Sequence, residues 1–202
     1  MSFGNDGNQL IKLETDLHIN KTFIKQSLGD PDDLIITPFF FCKTPGYFIY
    51  ISCLTDEQAL GKIAMLIQHA EDYPIEGDIS HSFSVYASRI SNCFFAAHTD
   101  EVIKSILEGQ TVFLFDGHDT AVIIDNKAGE KRTLEEPTTE ALIRGPRVGF
   151  REDIATNVAL LRQQLPDHNL RFKTFQIGRR AERCVKIAYL EDVTNPYLIE
   201  EA

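Results

Sequence analysis

Arginine is the residue type in this sequence whose number and spacing could support binding chemistry. Eight arginines fall between positions 144 and 183, and a Gly145-Pro146 pair lies among them. Seven of the eight are the candidates: Arg144, Arg147, Arg151, Arg162, Arg179, Arg180 and Arg183. Proline is favoured in the first turn of a helix, where its missing N–H costs nothing. A helix N-terminus flanked by guanidinium groups can bind an anion, because the positive end of the helix dipole and the guanidinium charges both attract it.

The same arginines can instead have a structural role. An acidic stretch with Glu135, Glu136 and Glu140 precedes Arg144 and Arg147. Acidic and basic side chains occur here in nearly equal numbers. We therefore favour ion pairs between them, across an interface between two parts of the chain, over a ligand site.

Asn157 is a polar residue inside an apolar helical segment. It is either a buried hydrogen-bonding bracket, meaning a side-chain amide that bonds to another part of the chain, or a ligand contact. We favour the bracket because buried amides are normally hydrogen-bonded within the protein. Ligand-binding or interface roles are thus predicted for ten residues: Glu136, Glu140, Arg144, Gly145, Pro146, Arg147, Asn157, Arg162, Arg179 and Arg180.

Signatures of catalysis and metal binding are absent from the sequence. It contains no Gly-x-Ser-x-Gly nucleophile motif and neither glycine-rich phosphate-binding pattern. The four cysteines form no Cys-x-x-Cys pair and are predicted to be buried free thiols. Asp30, Asp32 and Asp33 lack the spacing of a calcium loop, so we assign them to a helix end and a turn. We predict no catalytic residue, no cofactor and no metal site.

Charge divides the chain into two parts. The net charge of −10 argues against a nucleic-acid-binding protein, which needs a basic face. Residues 1–130 hold 8 Lys+Arg against 19 Asp+Glu, whereas residues 131–202 hold 12 against 11. This shift predicts two small subdomains, 1–130 and 131–202, joined by a short polar linker.

Neither an export signal nor a membrane-spanning segment is predicted for this sequence. The first apolar cluster is short and is interrupted by charged residues. No apolar run approaches the ~20 residues that a membrane helix needs. We therefore expect a soluble chain. The last helix signal, Thr194-Asn195-Pro196, comes just before Ala202, so we expect the second subdomain to be truncated at its C-terminus.

Hydrophobic periodicity predicts the class α/β, in an α+β form with mixed sheets. Helices are expected over 9–28, 57–70, 99–107 and 150–165, and one begins near Pro196. Strands are expected over 34–42, 47–53, 83–87, 111–115, 120–124, 170–177 and 184–190. Thr44-Pro45-Gly46 and Asp116-Gly117 are the predicted hairpin turns, and residues 71–82 are predicted to form a loop.

Six pieces of the sequence, in order and at similar spacing, resemble one known family. They are Asp116-Gly117, the Glu135-to-Phe150 block with Arg144-Gly145-Pro146-Arg147, Thr156-Asn157 with Leu160-Leu161-Arg162, Ile177-Gly178-Arg179-Arg180, Tyr189-Leu190 and Asn195-Pro196. From about Gly109 onward the chain is similar to the A subunit of GerA-type bacterial spore germinant receptors. It differs from the family's usual residues at Val148 and at Gln163-Gln164.

The resemblance implies a non-enzymatic region of a receptor A subunit that takes part in nutrient sensing and couples the signal to a membrane channel during germination. The implied partners are receptor subunits of the B and C types, further A subunits and a small-molecule germinant. Membrane helices beyond this region would lie in the inner spore membrane, with this region on the cytoplasmic, spore-core side. The alternative is a stand-alone soluble binding protein or enzyme for a small anionic metabolite, using Arg144, Arg147, Arg179 and Arg180.

Overall fold

The fold is taken from a computed structural model that describes residues 11–69, 77–128 and 149–201. These residues contain helices and antiparallel sheets, so the predicted α+β form of the α/β class is confirmed. The described strand pairings are all antiparallel, whereas mixed sheets were expected. The helices are α1 (Leu17–Leu28), α2 (Glu57–Gln68), α3 (Ile79–Ala87), α4 (Thr99–Leu107), α5 (Ile154–Gln164) and α6 (Pro196–Glu201). The strands are β1 (Leu34–Phe41), β2 (Thr44–Ile51), β3 (Cys93–Ala96), β4 (Thr111–Phe115), β5 (Ala121–Ile124), β6 (Leu170–Ile177) and β7 (Arg183–Leu190).

Five strands form one sheet in the order β1-β2-β4-β5-β3, and every pairing in it is antiparallel. Strands β4 and β5 lie inside the sheet and are buried along their whole length. Their continuous apolar sequences reflect this position, because both faces of the sheet are covered by helices. The predicted Asp116-Gly117 turn joins these two strands, with Gly117 at a φ of 79°.

The two faces of this sheet carry different cores. One face packs against α1 and α4, through aliphatic residues that include Leu17, Ile24, Leu28, Val102 and Ile106. The other face packs against α2 and α3 and is aromatic, with Phe39, Phe41, Phe83, Phe113 and Phe115 in mutual contact. The result is a sheet enclosed between two helical layers.

The turn between β1 and β2 lies two residues earlier than the sequence predicts. Cys42 and Lys43 form it, with φ of 48° and 69°, and Thr44-Pro45-Gly46 belongs to β2. Gly46 is needed for packing instead: a Cβ there would lie 2.5 Å from the Leu114 carbonyl oxygen and 2.6 Å from the Phe39 ring. The Pro-Gly pair therefore serves strand packing and not the turn.

Residues 83–87 are helical, so the predicted strand there is wrong. They belong to α3, whose N-cap Asp78 accepts hydrogen bonds from the amides of Ser80 and His81. Ile79, Phe83 and Ala87 recur every four residues and are all buried. This is helical spacing, and it also shows that the predicted loop ends before residue 79. Strand β3 was not predicted, and residues 70–76 lie outside the described part.

A second, two-stranded sheet follows α5. The predicted strands over 170–177 and 184–190 are confirmed as β6 and β7, which pair antiparallel from Leu170↔Leu190 to Ile177↔Arg183. A small core of Val158, Leu170 and Phe172 joins α5 to this hairpin. None of the helices in the described ranges is both long and apolar enough to cross a membrane.

Candidate functional site

An ion pair between Arg162 and Asp33 lies buried where α5 meets the five-stranded sheet. Arg162 Nε donates to Asp33 Oδ2 at 2.6 Å, and Nη2 donates to Oδ1 at 2.8 Å. The two side chains are only 3% and 8% exposed. A bidentate, desolvated pair of this kind is strong and directional.

Local sequence places both partners. Gly29 ends α1 in the left-handed region, and the chain then turns through Asp33 into β1. The Asp33 carbonyl accepts a hydrogen bond from the Ser52 amide at 3.0 Å, which fixes the turn beside the end of β2. Arg162 lies one helical turn after buried Val158 on α5, so its side chain projects from the buried face.

Two further side chains complete the surroundings of the pair. The Arg162 guanidinium carbon lies 5.0 Å from the centre of the Phe172 ring. The Cys53 thiol donates to Asp33 Oδ2 at 3.7 Å. Burial, followed by the nearby Asp33 carboxylate, raises the pKa of Cys53 to about 12, while Arg162 acts in the opposite direction. Cys53 is therefore a neutral thiol at physiological pH.

Arg171 makes a second contact across the same boundary. Its Nη2 pairs with Glu191 at 2.6 Å and its Nη1 donates to the His168 carbonyl, so the side chain is held in place. Its guanidinium lies against Gly29, where a Cβ would come within 2.1 Å of it. The α1 C-cap thus packs directly on a buried cation.

Thr174 adds a third contact, donating from Oγ1 to Asp32 Oδ2 at 2.8 Å. We call these contacts together the junction: Gly29, Asp32, Asp33 and Cys53 on one side, and Arg162, Arg171, Phe172 and Thr174 on the other. The sequence assigned Asp32 and Asp33 to turn duty alone. The structure corrects this, since both bind side chains more than 100 positions away.

The polar groups of the junction are engaged with each other. A shift of about 1 Å would break the bidentate geometry and leave two charges buried without partners, which is costly. The Arg171 Nε atom is buried without a hydrogen-bond partner among the described residues. In those same residues no cluster of three His, Cys, Asp or Glu could hold a metal ion.

Asn157 forms a bracket around the backbone of Arg151. Its Oδ1 accepts from the Arg151 amide and its Nδ2 donates to the Arg151 carbonyl, both at 2.7 Å. Helix α1 uses the same device, with Asn20 bracketing Glu14 at 2.9 and 2.6 Å. Each asparagine lies four residues after its helix's N-cap aspartate, so the bracket anchors the chain entering the helix.

The other predicted site residues are not gathered around this junction. Six lie outside the described residues: Glu136, Glu140, Arg144, Gly145, Pro146 and Arg147. Arg179 and Arg180 are exposed in the turn between β6 and β7. Arg162 lies over Phe172, and Ile177 at the far end of β6 is five residues away, about 16 Å along the strand. Arg162 and the turn arginines therefore do not share a site.

Sequence reasoning missed Asp33, Cys53, Arg171 and Phe172. One signal was available, because Arg162 lies on the same face as the apolar residues of α5 and a buried guanidinium requires an acid. Which acid it would be depends on the tertiary fold. The four cysteines are free, as predicted, but they are half-buried and not fully buried.

Comparison with known proteins gives a consistent picture. The family described as Bacillus/Clostridium GerA spore germination protein matches residues 22–202. The chain is 35% identical over 195 residues to spore germination protein GerLA of Bacillus cereus, covering 96% of this chain and 40% of that protein. It is 28% identical over 199 residues to spore germination protein B1 of Bacillus subtilis, covering 95% and 40%. The chain thus spans about two fifths of the length of these relatives.

Solved structures with the same fold include one from a germinant receptor. It is the N-terminal domain of the A subunit of the Bacillus megaterium spore germinant receptor GerK3, with a TM-score of 0.75 and 20% sequence identity. The match covers 96% of this chain and 72% of that one. At this identity the likeness concerns the arrangement of helices and strands.

Proposed function

This chain belongs to the Bacillus/Clostridium GerA spore germination protein family, and from that premise we propose that it is a region of a germinant receptor A subunit. In this proposal it takes part in nutrient sensing and passes the signal to a membrane channel. Its partners would be receptor subunits of the B and C types and further copies of the A subunit. The region would lie on the spore-core side of the inner spore membrane.

The Arg162–Asp33 pair is the observation that carries the coupling role. It joins α5, which holds the β6–β7 hairpin, to the turn that enters the five-stranded sheet. If α5 moved only partly away from the turn, the charges of Arg162 and Asp33 would both be buried without partners. Such a junction therefore favours a few discrete arrangements over a continuous range of positions. A change of state at one side would then be passed to the other as a rigid movement.

The same groups support a non-enzymatic role. The Asp33 carboxylate is occupied by Arg162, and the Cys53 thiol is kept neutral by its raised pKa, so neither serves as a base or nucleophile. A signalling function needs only that a ligand or a partner subunit interact differently with two arrangements of the junction. In this proposal, germinant or subunit contacts provide that difference.

A test uses the full-length protein in spores, with Arg162→Met, Asp33→Leu and the double variant. Each single change leaves one buried charge without its partner and should lower the amount of folded protein. The double variant removes both charges, so its level should approach wild type. We expect its nutrient response, followed as the loss of optical density, to shift at least several-fold in nutrient concentration.

A strain that lacks the gene and a non-nutrient trigger serve as controls. Spores of the deletion strain should lose the response to at least one class of nutrient and keep the response to the non-nutrient trigger. If they respond normally to every nutrient tested, the receptor role is wrong. If the double variant is present at wild-type level with an unchanged nutrient response, the receptor role stands and the coupling role of the junction is wrong.

A further inference from the structure

The outer end of the β6–β7 hairpin combines exposed aliphatic and basic side chains. Ile177 is 56% exposed and Val185 is 40% exposed. Arg179, Arg180 and Arg183 are exposed beside them. We call these five residues the hairpin tip.

The hairpin is strongly basic in an acidic chain. Residues 170–190 contain six basic side chains and one acid, Glu182, whereas the whole chain has a net charge of −10. Arg171 is neutralised by Glu191 at the junction. Of the five other basic side chains of the hairpin, three lie at the tip: Arg179, Arg180 and Arg183.

Strand register places aliphatic and basic residues on one face at the tip. Ile177 is opposite Arg183, and Phe175 is opposite Val185. Opposed residues share a face of an antiparallel pair, and positions two apart in a strand share it too. The guanidinium group of Arg183 thus stands next to the side chains that are most apolar at this end of the hairpin.

Among the described residues, the tip also lies clear of the acidic part of the chain. Thr174 makes the outermost hydrogen bond from β6 to that part that the described ranges contain, at Asp32. Ile177 is three residues farther along β6, about 10 Å, and the turn arginines lie beyond it. Since the Debye length at physiological ionic strength is about 8 Å, the tip presents its own positive potential to a partner.

We propose that the hairpin tip binds the surface of an anionic lipid bilayer, with the arginines at the headgroup phosphates and Ile177 and Val185 in the interfacial layer. A mixed basic and aliphatic surface is typical of membrane-surface contact. The end of a two-stranded hairpin is too narrow to bury the area of about 1,200 Å² or more that stable protein complexes use. Lipid attraction instead accumulates per side chain, by about fivefold in affinity for each arginine. This inference does not depend on nutrient sensing.

The test measures partition of the 202-residue chain onto vesicles by flotation. Vesicles of phosphatidylcholine with phosphatidylglycerol are compared with vesicles of phosphatidylcholine alone, at about 0.1 M salt. We expect binding to the anionic vesicles only. The variant Arg179→Gln/Arg180→Gln/Arg183→Gln should lose about a hundredfold in partition coefficient. Raising the salt to about 0.5 M should release the wild-type chain.

A matched variant removes the same charge elsewhere. Lys12, Lys43 and Lys62 are exposed on the acidic part of the chain, and the variant Lys12→Gln/Lys43→Gln/Lys62→Gln should bind vesicles like wild type. Ile177→Ser should weaken binding severalfold without changing the salt dependence. Circular dichroism melting of each variant establishes that it is folded.

Five outcomes would overturn the proposal. The first three are no partition of the folded wild-type chain, equal partition onto neutral vesicles, and equal loss in the two triple variants. The fourth is displacement by millimolar glycerol phosphate, which would indicate a site for a free phosphate group. Sedimentation velocity without lipid covers the remaining alternative: if the tip arginines drive self-association and the vesicles add nothing, the surface binds protein.

Discussion

Arg162 shows how one residue on a helix face constrains the rest of the molecule. Its neighbour one turn earlier, Val158, is buried in an apolar cluster, and an unpaired guanidinium could not occupy the next turn of that face. Asp33, 129 positions away in sequence, supplies the charge. The pair therefore fixes the position of α5 on the sheet with a specificity that apolar packing alone would not provide.

A double-mutant cycle tests this account of the pair. Arg162→Met should lower the free energy of unfolding by about 3–5 kcal/mol, because it leaves the Asp33 carboxylate buried without its partner. Asp33→Leu should cost a similar amount. The double variant should lie within about 1–2 kcal/mol of wild type, since no charge remains buried. Urea unfolding followed by circular dichroism measures all four proteins.

The cycle would contradict the account if the two single losses added in the double variant. Simple addition would mean that the residues act independently and that the bidentate contact contributes no coupling. Lys104→Met provides the comparison for loss of an exposed cation. Its ion pair with Glu108 is at 4.0 Å on the surface, so the change should be within about 0.5 kcal/mol.

Cys53 gives the junction a pH dependence at the alkaline end. Burial and the Asp33 carboxylate raise its pKa from 9.0 to about 12, so the folded state holds the thiol proton more tightly than the unfolded state does. That contribution is fully present below about pH 9 and is lost as the pH rises toward 12. We expect Cys53→Ser to flatten the fall in melting temperature between pH 8.5 and about 10.5.

The serine hydroxyl can still donate to Asp33, so the variant removes the titration and keeps a donor. Cys184→Ser serves as the control for loss of a thiol in the hairpin. Identical pH profiles for wild type and Cys53→Ser over this range would show that the thiol does not contribute to the alkaline loss of stability.

At the scale of single elements, the C-terminus of α1 is shaped by a contact from the hairpin. Gly29 has a φ of 69° and touches the Arg171 guanidinium, which Glu191 and His168 hold in place. Gly29→Ala should therefore lower the free energy of unfolding by about 1–2 kcal/mol through strain in the left-handed backbone conformation. The displacement of Arg171 should lower it further. Chemical unfolding should show a loss of about 3 kcal/mol.

Gly117→Ala is the matched control, because Gly117 has a φ of 79° and no atom within 4 Å of the added Cβ. Only the backbone strain should remain there, about 1–2 kcal/mol. Equal losses at the two positions would mean that Arg171 moves away without cost. In that case Arg171 would not contribute to the rigidity of the junction.

How far the sequence predicts an element depends on whether its signal is local. Strong periodicity gives α2 and α4 close to their observed ends and gives α5 with a start four residues too early. Runs of β-branched and aromatic residues give the strands of the three hairpins. The β1–β2 turn lies away from its predicted position because Gly46 is required for packing against the ring of Phe39. That packing is a tertiary contact, which the local sequence does not indicate. The Arg162–Asp33 pair is likewise set by tertiary structure, so the sequence indicates the arginine and not its partner.

At the scale of the whole molecule, the two sheets are stabilised differently. The five-stranded sheet is enclosed by helices on both faces, and β4 and β5 are fully buried. A two-stranded hairpin is marginal by itself. The β6–β7 hairpin has one small core with α5, so it depends on the junction for much of its order. Opening of the junction should be a local event that leaves the larger sheet intact.

Hydrogen exchange measured by mass spectrometry tests this division in the wild-type chain and in Arg162→Met. In wild type, amides of β4 and β5 should exchange slowest and those of β6 and β7 faster, because the latter open without global unfolding. Arg162→Met should speed exchange in α5, β6 and β7 about a hundredfold or more, which corresponds to a loss of at least about 3 kcal/mol at the junction. Exchange in β4 and β5 should change much less, with Lys104→Met matching wild type throughout. Uniform acceleration across both sheets would mean that the chain unfolds as one cooperative unit, and the junction could not then move separately from the sheet.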